Sequence, residues 1–312
     1  LSISGKIALI MGPTAGGKTA LALRLAADFG GEIISADSMQ IYKGLDIGTA
    51  KPTPQQLEQV PHHLINLYDI QEKLDVYRFV ELAEQAIEDI RSRGKIPFIV
   101  GGTGFYIRAL LYGLDTLPGD AKLRAELDGE YDNPAGYEKL KELMRVKDPA
   151  DFERWHMHRR KLIRALEVFM LTGKSITELQ TINRPQLRFP AVSWNLCWER
   201  GELKRRIAER TDAMLAAGWV KEAEAAIEAG ILKTPTAHQV LGYKVIGEYL
   251  DGKIDFETMR ERIATNTWQL ARRQITWFKN QHPEAENIQM PAPYENLKEK
   301  FEKAIDNIPE RP

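Results

Sequence analysis

The segment GPTAGGKT, residues 12 to 19, limits what this chain can fold into more than any other stretch. It matches G-x-x-x-x-G-K-[ST], with Gly12, Gly17, Lys18 and Thr19 in the fixed places. Such a loop aims backbone N–H groups at phosphate oxygens; its lysine adds a point charge, and its threonine hydroxyl can reach Mg²⁺. It belongs between a strand and a helix whose positive end adds to the field. Both flanks are present. KIALIMG, residues 6 to 12, is a short apolar run that reads as a buried parallel strand. Lys18 to Phe29 is rich in Ala and Leu and closes at Gly30-Gly31, a helix with a glycine stop.

The pattern continues downstream. EIISAD reads as a second strand ending at Asp37, and Leu64 to Leu67 as a third, short one. Asp75 can cap a helix through Arg93, with Phe79, Ala83, Ala86, Ile87 and Ile90 on one face. KIPFIV is another strand, running into Gly101-Gly102-Thr103-Gly104. Strands alternating with helices imply an α/β fold with a parallel sheet covered on both faces. Ligands in such sheets collect at the carboxyl ends of the strands. The phosphate loop, Asp37 to Gln40 and the Gly101 to Gly104 turn all fall there.

Strand patterns stop between about Leu114 and Pro190. Asp120, Asn133-Pro134 and Asp148-Pro149 open helices, and Ser175 with Glu178 has capping-box spacing. The expected organisation is a core of residues 1–114 and 190–312 with an all-helical insertion at 115–189. AVSWNLCW returns the chain to the sheet, and a long amphipathic helix follows near Phe256 to Asn280. Nothing after Gln281 carries a usable motif.

Composition narrows the class. The formal net charge of −1 gives no overall field for nucleic acid. The single cysteine, Cys197, excludes an intrachain disulfide and a cysteine-cluster metal site, and its apolar run makes it a small hydrophobe. No apolar stretch approaches the ~18–20 residues of a membrane span. With no leader-like opening, a cytoplasmic location is expected. His62-His63 reads as a structural pair, since no acidic or cysteine cluster completes a metal site.

Asp37 is the only acid at a strand end near the phosphate loop. A conventional nucleotide triphosphatase carries a metal-holding Asp after a second apolar strand; here KIPFIV is followed by Gly-Gly-Thr-Gly. Asp37 can accept a proton from a nucleophile, or merely cap a turn. RWHMHRRKLIR, residues 154 to 164, carries Arg154, Arg159, Arg160, Lys161 and Arg164 without an acid. It reads equally as a phosphate-backbone contact or as a solvated helix face. Arg206 and Arg210 share a helix face at i, i+4, whereas Arg205 lies off it.

Together these segments resemble the tRNA dimethylallyltransferases, also called tRNA isopentenyltransferases, of the bacterial type without a zinc-finger tail. The resemblance runs through GPTAGGKT, ISADSMQIYKGLDIGTAKP at 34–52, PHHLI at 61–65 and GGTGFYIRALL at 101–111. It continues through RALEVFMLTGK at 164–174, RIAERTDAML at 206–215 and LGYKVI at 241–246. HMHRRKLI departs from the family's pattern before RALEV but keeps the positive charge.

The resemblance implies transfer of the dimethylallyl group of dimethylallyl diphosphate to N6 of the tRNA adenosine 3′-adjacent to the anticodon. It implies Asp37 as general base and Thr103 beside the transferring group. Gly12, Thr14, Ala15, Gly16, Gly17, Lys18, Thr19 and Arg210 would hold the diphosphate, Thr19 through Mg²⁺. Asp37, Ser38, Met39, Gln40 and Thr103 would meet the extruded adenine and its neighbours. Arg124, Arg160, Lys161, Leu162, Ile163, Arg164, Gln239, Gly242, Tyr243 and Lys244 would contact tRNA, with the insertion gripping the anticodon stem-loop. A monomer is expected. An adenylate prenyltransferase, a phosphate-loop small-molecule kinase and a noncatalytic RNA-binding protein are the competing readings.

Overall fold

A computed structural model describes residues 6–114, 117–182, 187–282 and 284–307. The chain divides into two compact units, Leu1–Tyr112 with Leu187–Pro312, and Gly113–Gln186.

The first unit begins β1 (Ile7–Met11), α1 (Lys18–Asp28), β2 (Gly31–Ser35), α2 (Pro54–Gln59), β3 (His62–His63), α3 (Val76–Ser92), β4 (Ile96–Gly101) and α4 (Gly104–Tyr112). Every residue of β1, β2 and β4 is buried, as strands covered on both faces require. Asp75 caps α3 by accepting from Arg78 N, and the five apolar residues expected on its inner face are its buried ones. The third strand is displaced from expectation: it is His62–His63, not Leu64 to Leu67. Leu64 (φ 62°) and Asn66 (φ 55°) adopt left-handed backbone, which cannot continue a strand.

The second unit holds α5 (Ala121–Tyr131), α6 (Pro134–Lys147), α7 (Pro149–Trp155), α8 (Arg159–Thr172) and α9 (Ile176–Ile182). Asp120, Asn133 and Asp148 each accept a first-turn N–H, so three of its helices start where cap chemistry places them. Ser175 accepts from Glu178 N. Leu140, Met144, Leu162, Ile163 and Leu166 form this unit's own core. The expected insertion bounds, 115 and 189, compare with Gly113 and Gln186; residues 115, 116 and 183–186 lie outside the described residues.

The chain re-enters the first unit through Arg188, whose N–H donates to Leu111 O at 2.7 Å. There follow β5 (Ala191–Trp198), α10 (Arg200–Ala216), α11 (Trp219–Glu228), α12 (Tyr243–Leu250), α13 (Phe256–Gln281), β6 (Glu286–Met290) and α14 (Tyr294–Asp306). The strands make one parallel sheet ordered β3-β2-β4-β1-β5-β6. One apolar layer joins Leu9, Ile34, Phe79 and Ile107 to Trp219, Tyr243 and Phe278. The other joins Ile10, Leu25, Phe98, Trp194 and Phe301. Cys197 is half-buried at the β5–β6 seam beside Asn287. No described helix is long and apolar enough to cross a membrane.

Candidate active site

The turn after β1 and the start of α1 build the phosphate loop. Gly17 precedes α1 at φ 84°, a left-handed conformation that favours glycine. No side chain caps α1, so its first N–H groups are available to an anion. Lys18 folds over the loop and donates to Pro13 O at 2.8 Å. α10 crosses the loop with two arginines. Arg206 Nε donates to Ala15 O at 3.0 Å while its guanidinium lies 4.2 Å from the Trp198 ring centroid. Arg210 Nη1 donates to Thr14 Oγ1 at 3.5 Å.

These cations are costly where they stand. Burial, the nearby Arg210 charge and, opposing them, Asp37 set the Lys18 pKa at about 8. Burial also lowers Arg210, again against the pull of Asp37. Neither has an ion-pair partner within 4 Å among the described residues, whereas Arg205, off this face, pairs with Glu202 and Glu209. Desolvated cations without a carboxylate partner among the described residues, beside the uncapped start of α1, suit a polyanion.

Asp37 follows β2. Its Oδ1 accepts from Met39 N at 2.9 Å, so it does cap a turn, and Oδ2 has no protein partner among the described residues. Thr103 bridges from the turn after β4: its N–H donates to Ala36 O and its Oγ1 accepts from Ser38 N at 3.1 Å. Asp37, Ser38, Met39, Thr103, Thr14, Arg210 and Gln239 line one cavity of about 370 Å³. Lys18, Thr19, Arg206 and Arg210 line a second, of about 870 Å³, so Arg210 belongs to both.

Sequence reasoning missed Gln274 on α13. Its Oε1 accepts from Thr14 N at 2.7 Å and its Nε2 donates to Gly102 O at 3.0 Å, fastening the phosphate loop to the β4 turn. Arg273 beside it lines the smaller cavity, with Gly48 and Thr49. No local pattern announces these residues; α13 meets the site only through the fold.

Several expected RNA contacts take other roles. Leu162 and Ile163 are 0% exposed in the helical core, and Tyr243 is 0% exposed, donating to Glu222 Oε1 at 2.6 Å. Their side chains are packing groups and cannot reach RNA from there. Gly242 is buried beside Trp219, whereas Lys244 is exposed. Arg124 and Arg164 both engage Glu167, a buried carboxylate held below its usual pKa; burial acts against this shift and the arginine hydrogen bonds overcome it. Arg159 pairs with Asp132 at 2.6 Å. The basic segment is therefore partly neutralised within its unit, leaving Arg160 exposed without an ion pair among the described residues. Lys161 is exposed too, its Nζ 4.3 Å from the Trp155 ring centroid. His63 meets Glu32 at 2.8 Å and His62 meets Val60 O, as structural residues.

Comparison with known proteins places this geometry. A family model described as IPP transferase matches residues 40–281, and one described as isopentenyl transferase matches residues 5–72. The tRNA dimethylallyltransferase of Geobacillus kaustophilus is 43% identical over 281 residues, 89% of each chain. The solved tRNA isopentenylpyrophosphate transferase of Bacillus halodurans superposes with a TM-score of 0.73 at 33% identity, covering 97% of both chains. A eukaryotic dimethylallyltransferase solved acting on tRNA gives 0.84 at 28% identity, over 98% of this chain and 81% of that one. A phosphate loop facing a strand-end aspartate, in a chain matched across most of its length, belongs to the tRNA dimethylallyltransferase family of IPP transferases.

Proposed function

We propose that this protein transfers the dimethylallyl group of dimethylallyl diphosphate to N6 of the tRNA adenosine 3′-adjacent to the anticodon, releasing diphosphate. One observation carries the reading. Lys18 and Arg210 stand desolvated without carboxylate partners among the described residues, close enough to Asp37 to feel its charge, and Asp37 lines the adjoining cavity.

In this reading the diphosphate lies on the phosphate-loop N–H groups between Lys18 and Arg210. The adenine, taken out of its stack, enters the cavity beside Thr103. The N6 lone pair forms the bond to C1 of the prenyl group. The C1–O bond breaks, and its electron pair leaves with the diphosphate. The N6 proton passes to Asp37, whose Oδ1 is fixed by Met39 N and whose Oδ2 is free to receive it. Lys18 and Arg210 stabilise the charge that grows on the leaving group.

Mg²⁺ fits this site through Thr19, whose hydroxyl has no protein partner among the described residues and offers the hard oxygen the ion prefers. No cluster of three or more metal-binding residues is found among the described residues, so diphosphate and water would complete its shell. When bound, the ion supplies further charge neutralisation at the diphosphate.

Arg160 and Lys161, with Gln239 and Lys244 of the core, offer exposed polar contacts for tRNA. The reading has the protein working in the cytoplasm as a monomer. The test is to supply labelled dimethylallyl diphosphate with unmodified tRNA, AMP or ATP in turn. Label enters tRNA alone. Label on AMP would make this an adenylate prenyltransferase, and phosphate transfer from ATP would make it a kinase.

A further inference from the structure

Glu222, on α11, takes no part in the reaction drawn above, yet its carboxylate is committed to one wall of the site. Oε2 accepts from Asp46 N at 2.8 Å and Ile47 N at 2.7 Å. Oε1 accepts from Gly48 N at 2.8 Å and from the Tyr243 hydroxyl at 2.6 Å. Three consecutive backbone donors thus converge on one side chain distant in sequence. The segment they belong to divides the two cavities. Gly48 and Thr49 line the smaller, and Asp46, Ile47, Ala50 and Lys51 line the larger. It also holds Gln40, whose Nε2 donates to Thr49 O at 3.2 Å and whose Oε1 accepts from Ser35 Oγ at 2.8 Å. Asp37 lies on the chain between Ser35 and Gln40. Room is short here, because a Cβ on Gly48 would stand 2.3 Å from Trp219 Nε1.

We propose that Glu222 is a positioning residue, a carboxylate clamp that holds residues 46–51 as the common wall of the diphosphate and acceptor cavities and, through Gln40, steadies the Asp37 turn. The proposal rests on the transfer reaction proposed above. A carboxylate is required because both oxygens must accept. An amide at this place sets an N–H₂ group against the backbone N–H of Gly48, or of Asp46 and Ile47, and a partly buried donor loses its acceptor.

The test compares Glu222→Gln and Glu222→Asp with the intact protein. Ile87→Ala, in the α3 core, serves as a control for lost stability. Hydrogen exchange is measured at residues 46–48 without substrate, and single-turnover prenyl transfer at saturating tRNA and dimethylallyl diphosphate. Hydrogen bonds to a charged acceptor contribute enough for about 10- to 100-fold effects. In Glu222→Gln, exchange at 46–48 therefore rises and transfer slows by about 10- to 100-fold. Glu222→Asp recovers part of both, and Ile87→Ala moves neither. Unchanged exchange in Glu222→Gln overturns the clamp. So does a control that loses transfer equally at matched stability. If the intact protein transfers no prenyl group, the functional reading fails, while the exchange result still decides the clamp.

Discussion

Lys18→Met should stabilise the unliganded protein while abolishing its grip on diphosphate. In the folded chain Lys18 has a pKa of about 8 against an ordinary 10.5, chiefly because burial strips water from its ammonium. A shift of that size corresponds to at most about 3 kcal/mol of folding free energy at neutral pH. The side chain is half-buried, so solvent screening reduces this to about 1–3 kcal/mol. Methionine keeps the volume without the charge. Pro13 O loses the Lys18 bond but still accepts from Gly16 N at 3.1 Å, so no carbonyl is orphaned. Between pH 8 and 10.5 the unfolded chain binds more protons at this residue than the folded one, so the intact protein gains stability there as pH rises. Urea unfolding should find the variant more stable by about 1–3 kcal/mol at pH 7, with the gap closing towards pH 10.5. Added diphosphate should stabilise the intact protein and leave the variant unmoved. A variant no more stable at pH 7, or a gap independent of pH, refutes the argument that this lysine is held at a cost for its ligand.

Asp37→Ala should lower single-turnover transfer by about 10²–10⁴-fold with tRNA affinity held within a few-fold; near-normal transfer removes the proton-accepting role. Arg210→Ala should weaken dimethylallyl diphosphate binding and slow turnover, whereas Arg205→Ala, already paired with Glu202 and Glu209, should do neither; equal kinetics would make Arg210 an ordinary charge. Arg160 and Lys161 changed together to Ala should weaken tRNA binding and reduce the slope of log K against log salt by about 1.4–1.8, as two lost phosphate contacts require. An unchanged slope and affinity would make that surface a solvated face.

The carboxyl end of the sheet was readable because its parts are local. GPTAGGKT, Asp37 and Gly101 to Gly104 each sit where an apolar run ends, and a parallel sheet brings such ends together. Helix starts in the second unit were equally plain, since Asp120, Asn133 and Asp148 act within one turn of themselves. What escaped is long-range or weakly patterned. Gln274 and Glu222 earn no attention within α13 and α11, and their partners lie at Thr14, Gly102 and Asp46 to Gly48. β6 hid because ENIQM buries only Ile288, as an edge strand covered on one side permits. Burial of Leu162, Ile163 and Tyr243 could not be separated from function by motif alone, because a motif records what is retained and not which way it faces.

The hydrogen bond from Arg188 N to Leu111 O gives the helical unit a closed neck. The chain leaves the core and returns to it at adjacent points, so the sheet experiences the whole insertion as a loop with its ends already joined. Loop-closure entropy grows only logarithmically, by about 0.6 kcal/mol for each doubling of length. Growth or shrinkage of the inserted helices is therefore nearly free to the core. The neck makes the insertion an exchangeable module, open to replacement by a different set of helices while the phosphate loop and Asp37 keep their frame.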